Sequence, residues 1–158
     1  MPAEWRYCVS VARLPGDLPC IHEVRRQVFI VEQGIPAHLE WDGQDTACHH
    51  VLATDPEQTA IGTGRLDLRG RIGRMAVLPS WRSHGVGRDL LAALLALART
   101  QGHREVVVHA QCAVAGFYRK AGFRDQGQVF TEAGIQHLKM VKTLICGNNG
   151  KNRESEGA

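Results

Sequence analysis

The clearest pattern along the chain is an apolar stripe between residues 85 and 101, where hydrophobic side chains recur every three or four positions. Spacing of this kind gathers the apolar side chains on one face of an α-helix. The stripe consists of Val86, Leu90, Leu91, Leu94, Leu95, Leu97 and Ala98. Gly102 follows, and glycine commonly ends a helix. We therefore predict a long helix with one face packed against a core.

A second helix is predicted over residues 17–34. Its apolar positions are Ile21, Val24, Val28 and Val31. Asp17 can cap the N-terminus and Gly34 can end the helix. A shorter helical pattern follows at residues 113–122, whereas residues 34–45 are predicted to form a loop.

Runs of β-forming residues bounded by turn residues predict the strands. They occupy residues 5–12, 48–55, 60–68, 71–78 and 105–110, with two more around the turn TEAG between residues 123 and 144. The apolar run in EVVVHA is typical of a strand buried on both faces. This order predicts an α+β (mixed α/β) fold with a largely antiparallel sheet and one strand–helix–strand crossover.

Composition places the chain among ordinary globular proteins, with 158 residues and 22% charged residues. We expect one domain over residues 1–145 and a polar, disordered tail over residues 146–158. The chain has no apolar run long enough for a bilayer, and its N-terminus has no secretory pattern. The five cysteines form no CxxC pair, which favours a reduced, cytoplasmic protein without a structural zinc site.

The net charge of +3 does not by itself argue for a nucleic-acid partner. Its distribution is more informative. A basic run without acids contains Arg71, Arg74, Arg82 and Arg88, and an acidic run without lysine or arginine contains Glu32, Glu40, Asp42 and Asp45. The first run could attract an anion and the second a cation, although both could be ordinary solvated surface.

The segment RSHGVG, residues 82–87, joins a predicted strand to the long helix. It matches neither the dinucleotide pattern GxGxxG nor the phosphate-loop pattern GxxxxGK[ST]. A helix N-terminus with free backbone N–H groups and nearby arginines nevertheless favours anion binding. The alternative is a tight turn that needs glycine only for its backbone conformation.

Longer stretches resemble a known superfamily. IGRMAVLPSWRSHGVGRDLL resembles motif A of the GNAT (GCN5-related) N-acetyltransferases, and HAQCAVAGFYRKAGF resembles their motif B. The segments VRRQVFIVEQ, EWDGQD and EAGIQHLKM are similar to the ElaA-like branch. The resemblance covers residues 5 to 144 and implies the GNAT fold, with direct acetyl transfer from acetyl-CoA to a primary amine and no metal.

The resemblance also implies a set of residues that bind acetyl-CoA. The loop Arg82, Ser83, His84, Gly85, Val86, Gly87 and Arg88 would hold the pyrophosphate, and the strand residues Met75, Ala76 and Val77 would pair with the pantetheine arm. The backbone N–H of Val77 would face the thioester carbonyl. Gln111 stands where many relatives have asparagine, and Phe117 and Tyr118 complete the predicted contacts.

Two proton transfers accompany the chemistry, one from the incoming ammonium and one to the departing thiolate. Tyr118 is the predicted acid, although its spacing from Val114 also fits simple packing. Arg74 occupies the strand position where several relatives place a catalytic base. Glu32, His137 and His49 are the candidate bases, but Glu32 could be a solvated helix end and His137 a structural strand residue. His49 and His50 point to opposite faces of a strand, which disfavours a shared metal.

The leading functional hypothesis is therefore an acetyl-CoA-dependent N-acetyltransferase. The acidic run favours a cationic amine acceptor, and the resemblance is compatible with a homodimer. An alternative is a GNAT-fold module that binds CoA without turnover, as a sensor or interaction domain, because the strand acid is missing. Nucleic-acid binding through residues 71–88 is a third interpretation, but CoA phosphates account for the same arginines. Neither nucleic acid nor membrane is expected as a partner.

Overall fold

A computed structural model describes residues 5–144. The predicted tail at residues 146–158 lies outside the described residues. Eight strands form one sheet: β1 (Cys8–Val11), β2 (His49–Thr54), β3 (Ala60–Leu66), β4 (Arg71–Val77), β5 (Glu105–Gln111), β6 (Arg124–Asp125), β7 (Phe130–Glu132) and β8 (Ile135–Thr143). The helices are α1 (Leu18–Arg25), α2 (Ala37–Glu40), α3 (Val86–Thr100) and α4 (Ala115–Lys120).

The strand order is β1-β2-β3-β4-β5-β8-β6, with β7 paired to β8. Every pairing is antiparallel except that of β4 with β5, which α3 connects by a crossover. The predicted mixed fold with one strand–helix–strand unit is confirmed. The parallel pairing involves only Arg71 with Val107 and Ile72 with Val108, although both strands continue further. Strands β4 and β5 therefore diverge and leave a gap between their C-terminal ends.

A bulge interrupts β4 beside this gap. Gly73 pairs with Arg65 and Ala76 pairs with Thr63, so two residues of β4 oppose one residue of β3. Arg74 has a φ of 51°, a left-handed conformation that is rare for a residue with a side chain. The extra residue in β4 reverses which residues face each side of the sheet after this point.

The two faces of the sheet have different coverings. On one face, α3 and α4 pack against the main core, which includes Leu94, Ile72, Val108 and Met140. On the other face, a smaller cluster joins Val24, Val28 and Phe29 of the first helical segment to Ala76. We call the side of the sheet that packs against α3 the α3 face, and the side that packs against α1 and the π-helix that follows it the α1 face. The gap between β4 and β5 opens onto both faces.

The predicted helix over residues 17–34 is only partly α-helical, because α1 continues as a π-helix over Arg26–Glu32. A π turn contains about one residue more than an α turn, so the positions that face the core shift by about one residue along the sequence. Phe29 is consequently buried beside Val28, whereas Val31 is 64% exposed. The prediction that Val31 faces the core is therefore wrong.

The prediction that β5 is buried on both faces is also wrong. Val106, Val108 and Ala110 are buried, but the alternate residues Val107 and His109 are only half-buried. The α1 face of β5 borders the gap, so it is not covered by a helix.

Candidate functional site

The gap between β4 and β5 opens into a cavity of about 1030 Å³. Part of the loop at residues 82–88 and the aromatic residues of α4 line it from the α3 face. Residues of the π-helix, α2, β5 and β8 line it from the α1 face. A molecule in the gap would therefore meet different chemistry on its two sides.

The loop before α3 is shaped for an anion. Gly85 precedes the helix with a φ of 89°, which glycine adopts without steric cost. A Cβ built on Gly85 would lie 2.9 Å from Nη2 of Arg88 and 3.4 Å from the Tyr7 hydroxyl. The amides of Val86, Gly87 and Arg88 belong to the first turn of a 15-residue helix, where backbone N–H groups have no intrahelical acceptor. The residues present thus fit a phosphate group.

Aromatic side chains support this loop from the N-terminal segment. The ring of His84 stacks on Trp5 at 3.7 Å, and Trp81 packs edge-on against both Trp5 and Tyr7. The Tyr7 hydroxyl donates to Asp89 at 2.5 Å, and burial together with this bond raises the pKa of Tyr7 to about 12. His84, predicted to contact the pyrophosphate, therefore has its ring committed to Trp5 rather than to the cavity wall.

Arg82 and Glu32, predicted in separate roles, form a two-pronged ion pair. Both oxygens of Glu32 accept from Arg82 at 2.7 Å, and Nε of Arg82 donates to the Val77 carbonyl at 3.0 Å. The hydrogen bond from Arg82 lowers the pKa of Glu32. A carboxylate held in this way is a weak proton acceptor, so the geometry argues against Glu32 as the base.

The backbone of Val77 faces the gap. The amide of Leu78 donates to the Ile61 carbonyl at 2.9 Å, which makes this an antiparallel hydrogen-bonded pair. Because such pairs alternate along a strand, the N–H and C=O of Val77 point away from β3, toward the diverging β5. Met75 and Ala76 line the same cavity. A free N–H in a narrow gap is suited to polarise a carbonyl oxygen.

Tyr118, Phe117 and Gln111 also line the cavity. Tyr118 is 6% exposed, and burial raises its pKa to about 12, so its hydroxyl is protonated at neutral pH. The Gln111 side-chain amide donates to Gln33 at 2.9 Å, which links the end of β5 to the end of the first helical segment. Gln111 therefore spans the gap on its α1 face.

A histidine–glutamate group, defined here as His109, Glu132 and His137, occupies the α1 face of β5 and β8. Nδ1 of His137 lies 2.7 Å from the Ile135 carbonyl. Because a carbonyl only accepts, Nδ1 carries the proton and Nε2 of the neutral ring keeps its lone pair. That Nε2 atom is 3.8 Å from Glu132, and Nδ1 of His109 is 3.6 Å from the other Glu132 oxygen. Arg71 approaches the same carboxylate at 3.8 Å.

The acidic run pairs largely with arginines. Arg25 is fully buried and donates to Glu40 at 2.8 Å and to Asp45 at 2.7 Å. Arg65 donates to Asp42 at 2.8 Å and to Asp45 at 3.0 Å, and the Arg65 bond lowers the pKa of Asp42 to about 2.

Arg74 completes this buried ion network, which we define as Arg25, Arg65, Arg74, Glu40, Asp42 and Asp45. Its guanidinium lies 3.1 Å from Glu40 and donates to the backbone carbonyls of Leu39 and Glu40. The network therefore connects α2 to β4, and the charges of its three arginines and three carboxylates balance. These three acids are therefore paired with arginines of the same protein, and a cationic acceptor stays a prediction that must rest on other residues.

The structure brings most of the predicted residues together. One cavity is lined by most of them, whereas His49 lies outside it. The lining residues are Tyr118, His137, Gln111, Phe117, Met75, Ala76, Val77 and the loop residues except His84. Sequence reasoning missed His109, Glu132 and the buried Arg25. Two signals were present: His109 alternates with Val106 and Val108, and Arg25 interrupts the apolar stripe of the first helix.

Two negative findings concern the described residues 5–144. No helix there is long and apolar enough to cross a membrane. Within the same range, no group of three or more histidine, cysteine or acidic side chains could hold a metal ion.

Comparison with known proteins identifies the family. A family model described as an acetyltransferase (GNAT) domain matches residues 21–144. The Bacillus subtilis protein YjcF, described as an uncharacterized N-acetyltransferase, is 37% identical over 136 residues, covering 84% of this chain and 96% of YjcF.

Solved structures share the same architecture. An acyl-CoA N-acyltransferase from Pseudomonas aeruginosa aligns with a TM-score of 0.76 and 26% identity, covering 87% of this chain and 99% of that protein. Escherichia coli ElaA aligns with a TM-score of 0.74 and 25% identity, covering 87% and 98% of the two chains. The chain belongs to the GNAT acetyltransferase family.

Proposed function

We propose that this protein transfers the acetyl group of acetyl-CoA directly to a primary amine. The observation that carries the proposal is the divergence of β4 and β5 beside a phosphate-shaped helix N-terminus, with a protonated tyrosine in the same cavity. This arrangement can bind a phosphorylated thioester donor on the α3 face and leave the α1 face for the acceptor.

On the donor side, the amides of the first turn of α3 would bind the pyrophosphate, with support from the helix dipole. Gly87 would allow close approach because it carries no side chain beside these amides. The free N–H of Val77 would donate to the thioester oxygen as negative charge develops there. Loss of one such donor typically costs about 3 kcal/mol of transition-state stabilisation.

The chemical step forms one bond and breaks another. The amine nitrogen bonds to the carbonyl carbon, and the carbon–sulfur bond then breaks to release the CoA thiolate. Tyr118, which is protonated at neutral pH, would donate its proton to the departing sulfur, and the second proton of the attacking nitrogen would return to the tyrosine oxygen as the amide forms. His137 would accept the proton from the ammonium, because its Nε2 lone pair faces the α1 side of the cavity near Glu132.

The test is thiol release from acetyl-CoA with a panel of primary amines, followed for the parent protein, Tyr118→Phe and His137→Gln. We expect each variant to bind acetyl-CoA normally and to lose on the order of 10²-fold or more in kcat. A protein that binds CoA tightly but releases no thiol with any amine would refute catalysis and favour the non-catalytic CoA-binding module.

A further inference from the structure

We infer that the acceptor is a primary monoamine with an apolar body, whose ammonium group binds between Glu132 and His137 and whose body lies against the π-helix and α2. This inference rests on the proposed acetyl transfer, because it assigns the acceptor of that same site. It excludes polyamines and other polycations as preferred acceptors.

The histidine–glutamate group presents acceptors to an ammonium ion. Glu132 lies 3.6 Å from His109 and 3.8 Å from His137, beyond hydrogen-bond distance in both cases. Nδ1 of His109 is buried and has no hydrogen-bond partner within residues 5–144. A primary ammonium can donate to the Glu132 carboxylate and to the Nε2 lone pair of His137, the two acceptors that meet here.

Among the acidic side chains of the described cavity wall, Glu132 is held most loosely, since its contacts with Arg71, His109 and His137 are 3.6–3.8 Å long. Of the other acidic side chains that line the cavity, Glu40 and Asp42 accept from arginines, and Asp67 accepts from backbone amides of its own turn. Glu132 accepts no hydrogen bond in the described part of the chain and is 45% exposed as a side chain. It can therefore exchange its loose contacts for an incoming ammonium.

The surrounding charge limits the ligand to a single positive group. Arg71 of β4 lies 3.8 Å from Glu132, and Lys139 of β8 follows His137 by two residues on the same strand. The nearby buried ion network is already neutral. A second or third ammonium on the ligand would find Glu40 and Asp42 bound to arginines and Asp67 bound to backbone amides, and it would meet Arg71.

Part of the α1 face supplies an apolar wall. Val28, Phe29, Ile35 and Leu39 line the cavity, and Leu39 is 46% exposed. This wall and the histidine–glutamate group line the same cavity, and a 2.9 Å hydrogen bond between Gln33 and Gln111 connects the π-helix to β5 there. One small molecule can therefore reach both.

The experiment measures acetyl transfer to a series of linear alkylamines, with spermidine and kanamycin as polycationic competitors. We expect kcat/KM to rise about fourfold per added methylene while the chain stays on the wall, because each buried methylene favours binding. In Glu132→Gln, the KM for hexylamine should rise at least tenfold while the KM for acetyl-CoA stays constant. Glu57→Gln removes an acid from a turn outside the cavity and should change neither value.

Calorimetric titration of hexylammonium into the protein–CoA complex separates this inference from the proposed function. If the parent protein binds hexylammonium, Glu132→Gln does not, and neither acetylates any amine, the inferred ligand class stands and catalysis is refuted. Efficient turnover with spermidine preferred, or rates independent of chain length, would preserve acetyl transfer and refute the ligand class. Absence of both alkylammonium binding and alkylamine turnover would also refute the ligand class.

Discussion

Replacing Arg25 by methionine should show how strongly the buried ion network supports the acceptor side of the cavity. Arg25 has no exposed surface and contacts Glu40 and Asp45. Methionine fills similar space but leaves both carboxylates without their shared partner. Breaking a buried pair in this way typically costs about 3–5 kcal/mol. Because Arg74 still contacts Glu40 and Arg65 still contacts Asp45, we expect a loss near the lower end of that range.

Urea denaturation followed by tryptophan fluorescence measures the free energy of unfolding. A loss of about 3 kcal/mol corresponds to a fall in Tm of roughly 6–12 °C for a chain of this size. The deficit should depend on pH with a defined sign. The hydrogen bond and the positive charge of Arg25 lower the pKa of Asp45 despite the opposing effect of burial. The stabilisation that Arg25 gives Asp45 is therefore present above about pH 4 and is lost as pH falls toward 2, so the deficit of Arg25→Met should shrink over that window.

A double variant provides the matched control. Changing Arg25 to methionine together with Glu40→Gln leaves Arg65 and Arg74 with Asp42 and Asp45, so the charges of the network balance again at similar volume. It should recover part of the lost stability, because the penalty comes from uncompensated charge. A loss below about 1 kcal/mol in the single variant, or a double variant less stable than the single one, would refute this account of the network.

Three further changes test the donor side of the cavity. Gly85→Ala should lower the free energy of unfolding by roughly 1–2 kcal/mol, because φ is 89°, and should raise the KM for acetyl-CoA. Gly116→Ala in α4 is the control: a Cβ there meets nothing within 4 Å, so this change should be neutral or stabilising in the same melting and kinetic assays. Tyr7→Phe removes the hydrogen bond to Asp89 and should raise the KM for acetyl-CoA, because the unshielded carboxylate then lies beside the phosphate site; an unchanged KM would contradict this. Glu32→Gln should cost less than about 1 kcal/mol and leave the acid limb of the pH–rate profile in place, whereas loss of that limb would restore Glu32 as the base.

Local patterns in the sequence predicted the elements whose formation depends on nearby residues. The stripe that begins at Val86 places α3 correctly, since helix periodicity and the flanking glycines act within a few residues of one another. The π-helix at Arg26–Glu32 was not predicted, because one additional residue in a helical turn leaves no clear mark on the apolar spacing. Val31 was consequently assigned to the wrong face.

The site was less predictable than the fold, because its contacts join residues distant in sequence. Arg82 and Glu32 are separated by 50 positions and Gln33 and Gln111 by 78. Composition alone suggested one basic and one acidic surface, whereas folding places much of one run against the other. Glu132 was overlooked because it belongs to TEAG, which was interpreted only as a turn between two strands.

The gap proposed as the reaction site lies where the backbone groups of β4 and β5 stop hydrogen-bonding to each other. Beyond Ile72 and Val108, β4 and β5 no longer pair, and the N–H of Val77 is left facing the cavity. A thioester arm that extends along β4 would provide an acceptor for this N–H. The same divergence exposes the α1 face of β5, where His109 and His137 can reach an amine. One departure from regular pairing therefore creates both halves of the proposed site.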